Sequence, residues 1–142
     1  MTSGGRIPDG SNGLSTRLMW RTGGAGEVYA YLPSSVNFGT SLGRGNWTYM
    51  PGAWEHVEEY VHLNDVGRQN GQIVVFVNGT KVLDEEQLVF RTTTDLQIDG
   101  IFFSTFFGGS DPTWATPRDQ YVDFADFQVS STRPPPTTSP HG

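Results

Sequence analysis

A chain of 142 residues with a formal net charge of −6 and no cysteine is of single-domain size, and its core must hold without disulfides. Eighteen Gly, nine Pro and 13 % aromatic residues suit an all-β protein with many turns. The acidic balance argues against nucleic acid as a partner, which would call for a basic face. No apolar run reaches the length of a bilayer span, so no membrane partner is expected.

In chain order, the first thirteen residues are Gly- and Ser-rich and aperiodic, and "MTSGGRIPDG" lacks the apolar stretch of a signal peptide. Residues 14–20 and 26–32 predict two strands joined across "RTGGAGE", a hairpin with a loop longer than two residues. Residues 33–53, punctuated by Pro, Gly, Ser and Asn, predict a long surface loop. "WEHVEEYVHLN" at 54–64 alternates as a strand, and "QIVVFV" and "KVLDE" flank Asn78-Gly79, a strong hairpin signal. The apolar run "LQIDGIFFSTFF" at 96–107 predicts a strand buried on both faces. "DQYVDFADFQVS" at 119–130 predicts a last strand with a bulge near Ala125-Asp126, where the apolar phase slips. Residues 132–142, rich in Pro, Thr and Ser, read as a tail or linker after a folded domain over 1–131. About seven strands predict a jelly-roll-type two-sheet antiparallel sandwich, with Val75, Val77, Phe103, Phe107 and Phe127 in its core.

The first hairpin carries the chemistry. Residues two apart in a strand share a face, so Ser15, Arg17 and Met19 point one way and Tyr29 and Tyr31 share a face on the partner. If Arg17 pairs with Tyr29, then Ser15 falls opposite Tyr31 and all four project together. The other face, Leu14, Thr16, Leu18, Trp20, Val28, Ala30 and Leu32, is apolar and predicted to turn inward. By spacing alone the better reading of the four is the ordinary surface of a half-buried sheet. They also suit the β-elimination of a polyuronate. There a base removes the proton at C5, next to the carboxylate, and an acid protonates the leaving O4. A fixed Arg can hold that carboxylate and stabilise the developing enolate. A Tyr can act as base or acid beside a cation. No metal is required.

Other residues offer weaker alternatives. Trp54, His56, Glu58, Tyr60 and His62 share one face, where a cupin-like metal site is conceivable. The usual His-x-His pair is missing, so sugar contacts from His56, Tyr60 or His62 fit better. Glu55, Glu58 and Glu59 raise a glycoside hydrolase, but no second acid pairs with Glu58 by spacing. "GGSDPTW" is either a loop that presents Trp114 to a sugar or a turn with a packing Trp.

"LSTRLMWR", "YAYL", "GAWEHVEEYVHLN", "NGQIVVFVNG" and "IDGIFFSTFFGGSDPTWA" together resemble the catalytic domain of polysaccharide lyase family 14, the alginate and glucuronan lyases. The resemblance runs from about Gly4 to Val129 and implies a β-jelly roll. It further implies metal-independent cleavage of 4-linked uronic acid chains without a cofactor, an anionic polysaccharide as partner, a monomer, and an extracellular setting. It assigns catalysis to Ser15, Arg17, Tyr29 and Tyr31. The family also carries an active-site lysine in a "GGKLPG"-like segment; here "GGRIPD" puts Arg6 in its place. Arg can neutralise a carboxylate but hardly releases a proton near neutral pH. Lys81, the single lysine, follows a hairpin turn and is a poor substitute. The family has further strands upstream, so the fold is expected to be incomplete at its N-terminal edge. The alternative function is an inactive or non-catalytic carbohydrate-binding module of the same fold.

Overall fold

The computed structural model describes residues 7–132. The chain divides into two compact units, one closing at Ile98 and the next opening at Asp99.

The first unit holds two three-stranded antiparallel sheets. One is built from β1 (Ser15–Trp20), β2 (Gly26–Tyr31) and β3 (Thr40–Leu42), with β2 in the centre. The other is built from β4 (Val57–His62), β5 (Gly71–Val77) and β6 (Thr80–Leu88), with β5 in the centre. Alternation decides which side chains face inward. Val28, Ala30 and Leu42 from the first sheet, with Leu32 just past the end of β2, meet Ile73, Val75, Val77 and Leu83 from the second, and Trp47 and Phe90 complete one core. Burial of this kind stabilises by roughly 25 cal/mol per Å² of apolar surface. The all-β sandwich expected from the sequence is therefore present.

Turn chemistry fixes both hairpins. Asn78 and Gly79 have φ of +50° and +77°, the pair of left-handed residues that a two-residue type I′ turn needs. The β1–β2 loop closes through the Arg21 N–H donating to the Ala25 carbonyl at 2.8 Å. Gly24 in that loop has φ +80°, and a Cβ on it would stand 2.4 Å from the Tyr49 carbonyl oxygen. A side chain is excluded there twice over, by dihedral and by space.

Asn64, wholly buried, staples the exit of β4 to the segment after β6. Its Oδ1 accepts from the N–H groups of Phe90 and Arg91 at 2.8 and 3.0 Å. Its Nδ2 donates to the carbonyls of Asp65 and Arg91 at 2.9 and 3.0 Å. Every polar atom of a buried amide is thereby used, which is what makes its burial affordable.

Five expectations need correction. The stretch 33–53 is not all loop, because Thr40–Leu42 adds to β2 as β3. Leu18 and Trp20 point away from the expected outer face but stay 39 % and 47 % exposed, because β1 is an edge strand and Trp20 has only partial cover, meeting the Tyr49 ring edge to face at 6.3 Å. Neither 96–107 nor 119–130 forms a strand. In the second unit Phe103, Phe124 and Phe127 meet one another, with centroids 4.9 to 6.4 Å apart, yet Phe103, Phe107 and Phe127 remain more than half exposed. An apolar run becomes a buried strand only where a neighbour pairs its backbone and a layer covers its face. Among the described residues these segments have no such partner. The predicted bulge fails for the same reason, since a bulge needs a ladder. Asp126 there has a left-handed backbone, with φ +56°. The tail beyond Thr132 lies outside the described residues.

Candidate active site

The register of the first hairpin is the one that brings the chemistry together. Arg17 pairs with Tyr29 and Ser15 with Tyr31. With Val28, Ala30 and Leu32 in the core, the alternate residues Tyr29 and Tyr31 point outward from the same strand, and Ser15 and Arg17 stand beside them. All four are half-buried.

Contacts lock the group. The Arg17 guanidinium lies over the Tyr31 ring, 5.0 Å from its centre. Tyr29 and Tyr31 meet edge to face at 5.7 Å and 83°. The phenol oxygen of Tyr29 accepts the backbone N–H of Gly39 at 2.7 Å. Burial pushes the Tyr31 phenol above its ordinary value; the Tyr29 charge and a hydrogen bond with Tyr29 add to this, and Arg17 pulls the other way. Tyr31 is thus a phenol that keeps its proton. The Ser15 hydroxyl oxygen is buried and has no hydrogen-bond partner among the described residues. An orphaned hydroxyl costs about 1–3 kcal/mol, and a sugar oxygen is the kind of group that would satisfy it.

Glu27 extends the row by one step and was not singled out by sequence. It stands opposite Met19, in phase with Tyr29 and Tyr31, and is wholly buried. Arg21 Nη2 donates to its Oε1 at 2.8 Å and Arg44 Nε to its Oε2 at 2.6 Å. Arg44 Nη2 also donates to Ser41 Oγ at 2.8 Å, and Ser41 pairs with Tyr29 on β3. An acid two residues before a Tyr-x-Tyr was a readable signal; its two arginines, six and seventeen positions away, were not.

The remaining expected contacts are elsewhere. β4 pairs with β5 and sends Val57, Glu59 and Val61 toward the core side. Glu58, Tyr60 and His62 therefore project from the outer face of the second sheet, across the core from the quartet. His56 joins them, its Nε2 3.2 Å from Glu58 Oε1. The structure does not bring His56, Tyr60 and His62 to Arg17 and the tyrosines. No group of three or more potential metal ligands occurs among the described residues. Trp114 belongs to the second unit, in a short helical turn that Asp111 caps by accepting the Thr113 N–H at 2.9 Å. It is half exposed and packs on Gly109. Arg6 lies outside the described residues. A hollow of about 340 Å³ between Val66–Gln69 and Arg91–Thr92 shares no residue with the quartet.

Comparison with known proteins gives three matches. The family model described as polysaccharide lyase 14 matches residues 1–127. The crystal structure of the marine PL-14 alginate lyase from Aplysia kurodai superposes with a TM-score of 0.69 at 37 % identity, covering 81 % of this chain and 50 % of that one. Exolysin of Paramecium bursaria Chlorella virus 1 is 26 % identical over 77 % of this chain and 21 % of its own length. The chain thus spans half the Aplysia chain and about a fifth of the viral one.

Proposed function

Because the chain belongs to polysaccharide lyase family 14, we propose that it is a polyuronate lyase domain, cleaving alginate or glucuronan by β-elimination at the outer face of the first sheet. The observation that carries this reading is the β1–β2 register, which sets a guanidinium, two phenols and an unsatisfied hydroxyl side by side. Arg17 clamps the uronate carboxylate and offsets the charge that develops on it. Tyr29, entering the step as its phenolate, accepts the C5 proton and becomes a neutral phenol. The electron pair becomes the C4–C5 double bond, the C4–O4 bond breaks, and Tyr31 gives its proton to O4. Ser15 hydrogen-bonds a sugar oxygen. Each proton has a donor and an acceptor among these residues, so the scheme draws on no metal and no cofactor. An anionic polymer outside the cell is the partner this reading implies.

The test is incubation with polyglucuronate and with alginate while following ultraviolet absorbance of the unsaturated product. Growth of that signal with either polymer supports the reading. Arg6 favours a second one, because an arginine where the family has lysine removes a group able to release a proton. If oligomers bind but no unsaturated product forms at any pH, the domain is a carbohydrate-binding module with Arg17 as its carboxylate clamp.

A further inference from the structure

Gly39 reaches one of the proposed proton-transfer groups, Tyr29, with its backbone N–H. The segment between β2 and β3 folds back onto the outer face of its own sheet. Ser35 ties it down: its N–H donates to the Leu32 carbonyl at 2.9 Å, and its Oγ takes the Leu32 N–H at 3.1 Å and meets Thr40 Oγ1 at 2.9 Å. That anchoring delivers the Gly39 N–H to the phenol oxygen of Tyr29 at 2.7 Å.

Gly39 is itself buried. A Cβ there would lie 2.6 Å from Cε1 and 2.8 Å from Cζ of Tyr29, and 3.0 Å from the Ala30 carbonyl oxygen. Its φ lies outside the left-handed region, unlike that of Gly24. The backbone conformation would admit an alanine; the Tyr29 ring does not. Glycine at this position answers to the ring it touches.

We infer that Gly39 is a positioning residue for Tyr29, its amide fixing the phenol oxygen beside Arg17 and its missing side chain making room for the ring. A phenol has one hydrogen to give and lone pairs to offer. The amide and the hydrogen bond with Tyr31 both engage that oxygen, and the phenolate that acts as base keeps a further lone pair for the substrate proton. The amide is also a fixed donor to the negative charge that this oxygen holds as a base and gives up when it takes the C5 proton. Charged and titratable groups around it are Arg17 from β1, Tyr31 and Glu27 on its own strand, and Arg21 and Arg44 beyond Glu27; β3 contributes the neutral Ser41. The inference rests on the lyase reading, since it gives Tyr29 work to do.

The test compares Gly39→Ala, Tyr29→Phe and the double variant in the full chain, alongside a chain with glycolate at position 39. That last substitution turns the amide into an ester and removes the N–H without adding an atom. Both Gly39 variants should lose kcat on the order of 10²-fold with KM little changed. Adding Gly39→Ala to Tyr29→Phe should cost nothing further, because both act through one phenol. A glycolate chain with undiminished kcat, or losses that multiply in the double variant, would overturn the assignment. Carbon-13 at tyrosine Cζ gives a readout that needs no turnover: the Tyr29 resonance should move in the glycolate chain and the Tyr31 resonance should hold. An unmoved Tyr29 resonance overturns the assignment whether or not the chain is active. A wild-type chain that makes no unsaturated product overturns the lyase reading, and with it the catalytic purpose of the contact, even if the resonance moves.

Discussion

Arg17 lies over the ring of Tyr31, 5.0 Å from its centre, while its backbone is paired with Tyr29. One side chain is thereby held by one tyrosine and registered against the other. Its guanidinium gains a cation–π contact worth about 0.5–1 kcal/mol where partly exposed, and its rotamer is restricted before any substrate arrives. Preorganisation of this kind lets a charge act on a transition state without first being ordered.

Arg17→Ala should therefore reduce turnover of polyuronate by at least about 10²–10³-fold, read as the initial rate of ultraviolet absorbance growth. Arg17→Lys keeps the charge but loses the planar fork. It should recover only a minor part of the rate. Near-wild-type turnover in Arg17→Lys would show that the arginine contributes a point charge and no bidentate clamp.

Tyr29→Phe and Tyr31→Phe each delete one hydroxyl, and the two should not be equivalent. Loss of a general acid or base costs about 10²–10⁴-fold. Water can protonate a leaving alkoxide more readily than it can remove the C5 proton, so Tyr29→Phe should fall further. Tyr31 must hold its proton to act as acid, and burial raises its pKa above the ordinary phenol value of 10.0. The alkaline fall in kcat/KM should accordingly be centred above that value. A fall centred below it would assign the acid role to another group.

The quartet was legible because strand periodicity is local. Ser15, Arg17, Tyr29 and Tyr31 needed only the two-residue repeat and one hairpin register, and both are set by residues within the hairpin. Val75 and Val77 were legible as core for the same reason. Phe103, Phe107 and Phe127 were not, because burial of a strand depends on distant segments that pair with it and cover it. His56, Tyr60 and His62 share a face as the alternation says, but alternation within one strand does not say to which sheet that strand belongs. Gly39 and Arg44 escaped notice because they act from loops. A loop residue gives no periodic signal, and its contacts are fixed by the chain's path.

Glu27 offers a stability test beside the site. Removing one partner of a fully buried ion pair costs about 3–5 kcal/mol. Here the guanidiniums of Arg21 and Arg44 are 29 % and 55 % exposed and can turn to water. Glu27→Ala should therefore cost less, about 2 kcal/mol, measured by urea unfolding. The Glu27 carboxylate is shielded from solvent, so molar salt should erase little of the wild-type advantage. A loss of stability abolished by salt would mean that the pairs behave as surface contacts.

Glu59 should make stability fall as pH rises. It stands opposite Val75 on β4, in phase with Val57 and Val61, and so points toward the core side. Its Oε1 is buried without a hydrogen-bond partner among the described residues. Burial pushes its carboxyl above the ordinary value of 4.5, and a hydrogen bond with Thr16 opposes this more weakly. The unfolded chain releases this proton near the ordinary value, whereas the folded chain keeps it to higher pH. Above 4.5 the folded state therefore binds more protons than the unfolded, and stability drops by up to about 1.4 kcal/mol per pH unit until the folded pKa is passed. Below 4.5 the contribution is fully present. Glu59→Gln is neutral throughout and should flatten this term. Urea unfolding of both chains at pH 5 and pH 7.5 should show the Gln variant gaining on the wild type at the higher pH. If the two chains keep a constant difference across that range, Glu59 is ionised in the folded protein, and the inner face of β4 admits water.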